Sequence, residues 1–147
     1  QEALEAMTSI HASGRSVMVQ PYLKSVDTAA ETALIFIDGQ FSHAIRKGPL
    51  LKLDHAAQEF HGGLFIKEEI TARIATDSQR EVAQRALAVA PQGWLYARVD
   101  LIDNDHGNPV VLELEMVEPS LFFDVDSDSV TGAPGRLASA IARTLAH

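Results

Sequence analysis

Two stretches of the chain have hydrophobic patterns that are typical of β-strands. Residues 32–37 and 40–45 flank the dipeptide Asp38-Gly39, so they predict a two-stranded hairpin with a tight turn. Apolar and polar residues alternate between residues 95 and 119, where residues 103–109 are rich in turn-forming types. This second stretch therefore predicts another hairpin.

The two ends of the chain carry apolar residues at helical spacing. Residues 2–11 precede Gly14 and predict a short amphipathic helix that packs on a sheet. Residues 134–146, with apolar side chains every fourth position, predict a closing helix.

Residues 76–90 give the clearest helical pattern. Thr76 or Asp77 is a suitable N-cap, and from Thr76 the residue three positions later, Gln79, completes a weaker form of the capping box. Pro91 ends the pattern. The side chains expected to face the core are Val82, Ala86 and Val89.

The remaining segments predict little regular structure. Residues 16–20 indicate a short strand that stops at Pro21, and residues 50–75 indicate a loop with one short strand at 64–66. Helices interspersed with antiparallel hairpins are typical of the α+β class. We therefore expect a single domain over residues 1–147, with an antiparallel sheet packed against helices.

The second predicted hairpin places charged residues on one face. Side chains repeat every second residue along a strand, so Arg98 and Asp100 share a face, as do Glu113 and Glu115. The predicted register pairs Ile102 with Val111, Asp100 with Glu113, and Arg98 with Glu115. Three carboxylates and one guanidinium then share a single patch.

Such a patch requires compensation, because like charges across a strand pair destabilise it by roughly 0.2–1 kcal/mol each. A divalent metal is the natural candidate, since magnesium takes oxygen ligands and completes its shell with water and phosphates. The alternative is a solvated outer face on which Arg98 simply neutralises Glu115.

The composition of the chain argues against several classes of binding partner and chemistry. A formal charge of −8 argues against non-specific binding to nucleic acid or to an anionic membrane. The absence of cysteine excludes disulfides and thiolate chemistry, and the cytoplasm is the expected compartment. The apolar run at residues 33–37 is far shorter than the roughly 20 residues that a membrane span requires. Because Gln1 is not an initiator methionine, we also expect a preceding segment.

Several familiar signatures are absent from the sequence. It contains neither the Gly-x-Gly-x-x-Gly dinucleotide fingerprint nor a Walker phosphate loop. The acidic stretch that begins at Asp124 has Ser129 where a calcium loop needs glycine, and Gly135 where it needs glutamate. The six histidines lack the spacing of a zinc hydrolase, and we expect the two in the 50–75 loop, His55 and His61, to be surface residues and not zinc ligands.

Four motifs together resemble those of the ATP-grasp superfamily. They are Val19-Gln-Pro-Tyr-Leu23, Phe41-Ser-His-Ala-Ile-Arg-Lys47, Gly63-Leu-Phe-Ile-Lys-Glu-Glu69 and Tyr96-Ala-Arg-Val-Asp100. Within the superfamily they are most similar to the bacterial glutathione synthetase and ribosomal S6 modification type. The resemblance extends over residues 17–146 and matches only the C-terminal half of such a ligase. It implies that subdomains bearing the phosphate-gripping lysines and most of the acceptor site precede this chain.

The resemblance also implies roles for individual residues. The adenine would lie against Gln20, Pro21, Tyr22 and Leu23, and Glu31 would bind the ribose, with Asp27 as its substitute. Asp100, Glu113 and Glu115 would be the magnesium ligands, although the family more often has asparagine at the last position. Arg98 would contact the transferring phosphoryl group, and Arg46 and Lys47 a second phosphate or an acyl phosphate.

The implied activity is ATP-dependent ligation of a small-molecule carboxylate to an amine or similar nucleophile, through an acyl-phosphate intermediate. Its cofactors would be ATP and two Mg²⁺ ions, with Mn²⁺ as an alternative metal. Its partners would be these substrates, the rest of its own polypeptide and, as an open alternative, further copies of itself. Two other hypotheses remain: an ATP-grasp-like module that binds nucleotide or a partner without catalysis, and an acidic interaction domain.

Overall fold

A five-stranded antiparallel sheet forms the centre of the fold in the computed structural model, which describes residues 2–49, 69–126 and 132–146. The strands are β1 (Glu31–Ile37), β2 (Gln40–Lys47), β3 (Ile70–Arg73), β4 (Tyr96–Asp103) and β5 (Pro109–Glu115). They are arranged in the order β3-β2-β1-β4-β5. The helices are α1 (Glu2–Ala12), α2 (Ser25–Thr28), α3 (Asp77–Ala88) and α4 (Ala133–Leu145), with a 3₁₀ turn at Phe123–Val125. The predicted α+β class and both predicted hairpins are confirmed.

Strand β1 is buried because both of its faces and both of its edges are covered. It pairs with β2 on one edge and with β4 on the other, and residues 32–37 are all buried. Full burial of a side chain such as Phe36 contributes roughly 1.5–3 kcal/mol. One face of the sheet packs on α3 through Leu34, Phe36, Val99, Ala83 and Leu87. The opposite face packs on α4 through Ala33, Ile35, Ile45, Leu137 and Ala140.

Helix α3 begins with the predicted capping box. The Thr76 hydroxyl accepts from the backbone N–H of Gln79 at 3.2 Å, and the Gln79 side chain accepts from the backbone N–H of Thr76 at 3.0 Å. The expected core-facing side chains are only partly right. Val82 and Ala86 pack on the core, but Val89 is 87% exposed. The buried positions are Ala83, Leu87 and Ala90, so the core-facing stripe lies one residue further along the helix.

We expect Thr76→Ala to lower the free energy of unfolding by about 1 kcal/mol, because it removes an N-cap and leaves the Gln79 N–H without its partner. Urea denaturation measures this change. The exposed Ser139→Ala in α4 is a control, since it alters no cap and should change stability by about 0.5 kcal/mol or less. Equal effects at the two positions would contradict a stabilising role for the cap.

Two predictions about the N-terminal segment are wrong. Residues 16–20 form no strand. Their backbone pairs with no strand among the described residues, and the side chains of Val17, Met18 and Val19 are exposed. Helix α1 forms as predicted but does not pack on the sheet, because residues 3–12 include no buried position and Leu4 is 66% exposed.

Strand β3 was not predicted. It pairs with the end of β2, with Ala72 opposite Ile45 and Ile70 opposite Lys47. Four residues are too few to show a clear alternation, so tertiary pairing decides the conformation. The strand predicted at residues 64–66 lies outside the described residues. None of the described helices has the length and apolar character needed to cross a membrane.

Candidate functional site

The register of the β4–β5 hairpin brings the predicted charged residues together. Arg98 lies opposite Glu115, and Asp100 lies opposite Glu113, as predicted. Directly after Asp100 the register shifts, so Val111 pairs with Leu101 instead of the predicted Ile102. The shift is a β-bulge on β5 that leaves one extra residue between the paired positions, and bulges are common beside functional sites.

Arg98 is the centre of this group and is almost completely buried. Its Nε donates to Asp100 Oδ1 at 2.8 Å, and its Nη2 lies 3.2 Å from Glu113 Oε2 and 2.6 Å from Glu115 Oε2. Burial alone would lower the pKa of Arg98, but the hydrogen bond and charge of Asp100, with the two glutamates, raise it. The guanidinium therefore stays charged.

Lys47 approaches the same aspartate from the β2 side of the sheet. Its Nζ lies 3.0 Å from Asp100 Oδ2 and 3.5 Å from Glu31 Oε2, since Glu31 and Lys47 are opposite each other in the β1–β2 pair. Burial opposes the charged form of Lys47, yet Asp100 and Glu31 raise its pKa. The fully buried Asp100 thus has a cation on each oxygen.

We call these six side chains the acid cluster: Glu31, Asp100, Glu113, Glu115, Lys47 and Arg98. Four carboxylates face two cations, so the cluster has a formal excess of two negative charges. The side chain of Glu113 is 53% exposed and that of Glu115 is 26% exposed, so the cluster opens to solvent on the β5 side. Among the described residues, no three histidine, aspartate or glutamate side chains are spaced to hold a metal ion.

Arg46 lies apart from the acid cluster. It directly precedes Lys47 in β2, and successive strand residues point to opposite faces of the sheet. Arg46 is opposite Thr32 and lies 3.9 Å from Glu69 Oε2. The structure therefore brings Lys47, but not Arg46, to the predicted magnesium ligands. A phosphate-binding role for Arg46 stays a prediction.

The segment predicted to read the adenine lies just before α2. Gln20, Pro21 and Tyr22 are exposed, and Leu23 is half-buried. The Tyr22 hydroxyl donates to Asp27 Oδ1 at 2.7 Å, and this hydrogen bond raises the pKa of Tyr22. Asp27 is thereby engaged outside the acid cluster, whereas Glu31 is within it.

Helix α2 holds this segment near the end of β4. The Ser25 hydroxyl donates to the backbone carbonyl of Asp103, the last residue of β4. The segment that includes Tyr22 is therefore anchored at the same end of the sheet as Glu31, where β1 begins.

Sequence reasoning missed Phe122, which contacts Arg98. The Arg98 guanidinium carbon lies 5.9 Å from the centroid of the Phe122 ring, within the range of a cation–π interaction. Phe122 has φ 50° and ψ 48°, a left-handed conformation that costs roughly 1–2 kcal/mol in a residue with a side chain. Neighbouring contacts must therefore stabilise this turn. The sequence gives little sign of this role, because Phe122 is simply an aromatic residue within a short apolar run.

Sequence reasoning also missed His43, whose side chain is buried against the turn. The loop histidines His55 and His61 lie outside the described residues. The Nε2 of His43 lies 3.0 Å from the carbonyl oxygen of Leu121, and its Nδ1 lies 2.9 Å from the Ser42 hydroxyl. Arg136 donates to Ser42 from Nη2 at 2.7 Å. Burial is the main cause that lowers the pKa of His43, so the neutral ring is favoured.

The chain is similar to a cycloserine biosynthesis protein in both sequence and structure. No protein-family profile matches the chain. Cycloserine biosynthesis protein DcsG from Streptomyces lavendulae is 40% identical over 140 residues, which cover 91% of this chain and 44% of that protein. The crystal structure of D-cycloserine synthetase DcsG superposes with a TM-score of 0.76 at 34% identity, over 98% of this chain and 48% of that one.

Two more distant structures share the fold. D-alanine–D-alanine ligase from Bacillus anthracis, complexed with ATP, gives a TM-score of 0.60 at 19% identity, over 97% of this chain and 45% of that one. The ATP-grasp ligase PsnB, complexed with minimal precursor, Mg and ADP, gives a TM-score of 0.51 at 18% identity, over 95% of this chain and 50% of that one. The chain thus spans about half the length of the proteins that it matches. These likenesses confirm the resemblance drawn from the motifs: the chain has the fold of ATP-grasp ligases, and it is similar to DcsG over most of its own length.

Proposed function

We propose that this chain is the C-terminal, nucleotide- and magnesium-binding half of an ATP-dependent ligase that joins a carboxylate to an amine or similar nucleophile. The acid cluster carries the proposal, because it gathers four carboxylates and two cations on one face of an ATP-grasp sheet. The 40% identity with a cycloserine biosynthesis protein supports it.

The acid cluster fits magnesium in donor type and charge. Hard cations prefer oxygen ligands, and two excess negative charges match one divalent ion, while the phosphates of ATP would accompany a second. In the present arrangement Arg98 engages Glu113 and Glu115. We infer that these glutamates rotate away from Arg98 when the ion and the nucleotide bind. The exposed Glu113 side chain has room to do so.

Arg98 and Lys47 then meet the negative charge that spreads over the transferring phosphoryl group. Phosphoryl transfer depends on positioning and electrostatic stabilisation, and needs no side-chain nucleophile. Bound magnesium, in two sites and with Mn²⁺ as an alternative, would neutralise phosphate charge. Asp100 holds the Arg98 and Lys47 side chains in place through Oδ1 and Oδ2. In this step the substrate carboxylate would take the terminal phosphoryl group of ATP and ADP would leave. The amine would then attack the acyl phosphate, and inorganic phosphate would leave.

The nucleotide base would lie along the main chain of Gln20, Pro21, Tyr22 and Leu23. Glu31 is the better candidate for the ribose hydroxyls, because Asp27 already accepts from Tyr22. Glu31 lies 3.5 Å from Lys47, so one carboxylate could serve both the ribose and the cation.

The substrates of the proposed ligase are small molecules with a carboxylate and an amine or similar nucleophile. The names of the relatives make D-cycloserine the first product to assay. We expect the rest of the polypeptide to supply most of the acceptor site.

The test uses the full-length enzyme that contains this chain. We expect phosphate release from ATP to require magnesium and a carboxylate substrate, with product identified by mass spectrometry against a panel of amino acids. Calorimetry with magnesium and a non-hydrolysable ATP analogue separates the alternatives. Nucleotide binding without turnover on any substrate would favour a non-catalytic module, and absence of binding would contradict the proposal.

A further inference from the structure

A line of contacts connects His43 in β2 to Arg98 in β4 through the turn at Phe122. We infer that His43 is a positioning residue for Arg98, and that it acts by holding Phe122 in its left-handed conformation. This inference rests on the proposed function of Arg98 at the phosphoryl group.

The first step is the direction of the hydrogen bonds around His43. A backbone carbonyl can only accept, so Nε2 must carry the proton that is donated to Leu121 at 3.0 Å. Nδ1 is then the acceptor for the Ser42 hydroxyl at 2.9 Å, and the Ser42 oxygen accepts from Arg136. With a neutral ring, every polar group in this series of hydrogen bonds has a partner in this arrangement, which fixes the ring in one tautomer.

The second step connects the Leu121 carbonyl to the conformation of Phe122. That carbonyl belongs to the peptide plane that precedes Phe122, so a hydrogen bond to it resists the rotation of this plane that would change φ of Phe122 from 50°. On the other side, the Phe122 carbonyl accepts from the backbone N–H of Val125 at 3.1 Å. The two bonds hold a conformation that a phenylalanine otherwise avoids.

The third step is the contact between Phe122 and Arg98. The guanidinium edges of Arg98 bind carboxylates, and the Phe122 ring lies over its carbon at 5.9 Å. The ring is thus a contact of the guanidinium in addition to the acids. When Glu113 and Glu115 turn towards an ion, Asp100 and the ring remain to hold the guanidinium. Loss of the His43 bond would allow the turn to relax and Arg98 to move.

The experiment measures kcat and the KM for ATP in the full-length enzyme. His43→Leu should lower kcat by about 10- to 100-fold, because small misplacements of a catalytic group have effects of this size. The KM for ATP should change by no more than about twofold. His43→Gln, whose amide can donate to the Leu121 carbonyl, should recover most of kcat. His106→Gln, an exposed histidine in the β4–β5 turn, is the matched control and should leave kcat unchanged.

A double-mutant cycle distinguishes this mechanism from general damage. Phe122→Leu removes the ring, and His43→Leu combined with Phe122→Leu should lower kcat no further than the more damaging single change. Multiplicative losses, or a His43→Leu enzyme with wild-type kcat, would overturn the inference. Wild-type enzyme without magnesium- and ATP-dependent turnover would instead overturn the proposed function. If His43→Leu does not fold, the Arg98 Nε–H NMR signal in Phe122→Leu decides, because an unchanged signal rules out positioning by the ring.

Discussion

Glu113→Gln should lower the ATP-dependent activity of the full-length ligase by about 100-fold or more and leave its stability nearly unchanged. The large effect is expected because the change removes a proposed magnesium ligand, and even residues behind metal ligands contribute roughly 10- to 100-fold. The small effect on stability follows from exposure. Glu113 is half-exposed, and its 3.2 Å pair with Arg98 is of the kind worth roughly 0–1 kcal/mol.

The measurement is a magnesium titration of phosphate release, paired with thermal unfolding. Glu118→Gln is the matched control, because Glu118 is an exposed glutamate just beyond the end of β5. It removes the same charge outside the acid cluster and should leave the titration unchanged. Equal activity of the Glu113→Gln and Glu118→Gln enzymes would favour the simpler view that the hairpin acids are only solvated.

The side-chain period of a strand explains why much of the cluster could be predicted. Arg98 and Asp100 had to share a face, and the turn at residues 103–109 set Glu115 and Glu113 opposite them. The same period could have separated Arg46 from Lys47, because neighbouring residues of one strand cannot both reach one face. The motif resemblance grouped them, and the structure places only Lys47 in the cluster.

Contacts between distant segments could not be predicted from local patterns. Lys47 meets Asp100 because β1 pairs with both β2 and β4, and no periodicity indicates which strands are neighbours. The bulge after Asp100 is likewise a property of the paired strands. Phe122 and His43 were missed for a related reason. A phenylalanine adopts a left-handed backbone conformation only where contacts from other segments, such as the hydrogen bond from His43, stabilise it.

The last prediction concerns Asp100, whose loss should reduce both activity and stability. Asp100 is fully buried, with Arg98 Nε at 2.8 Å from one oxygen and Lys47 Nζ at 3.0 Å from the other. In Asp100→Asn the amide oxygen can still accept from Arg98, but the amide NH₂ then faces the Lys47 ammonium, donor against donor. Glu31 at 3.5 Å remains as a partner for Lys47, so we expect a loss of about 1–3 kcal/mol.

A loss of that size should lower the melting temperature by several degrees without unfolding the protein, and ligation should be abolished. Addition of Lys47→Met tests the cause. Removal of both members of a buried pair costs less than removal of one, so the double variant should regain part of the melting temperature. It should regain no activity, because Lys47 is itself proposed to meet the phosphoryl group. A double variant less stable than Asp100→Asn would show that the contact between the amide NH₂ and the Lys47 ammonium is not the source of the instability, and that Lys47 stabilises the sheet mainly through Glu31 and its aliphatic stem.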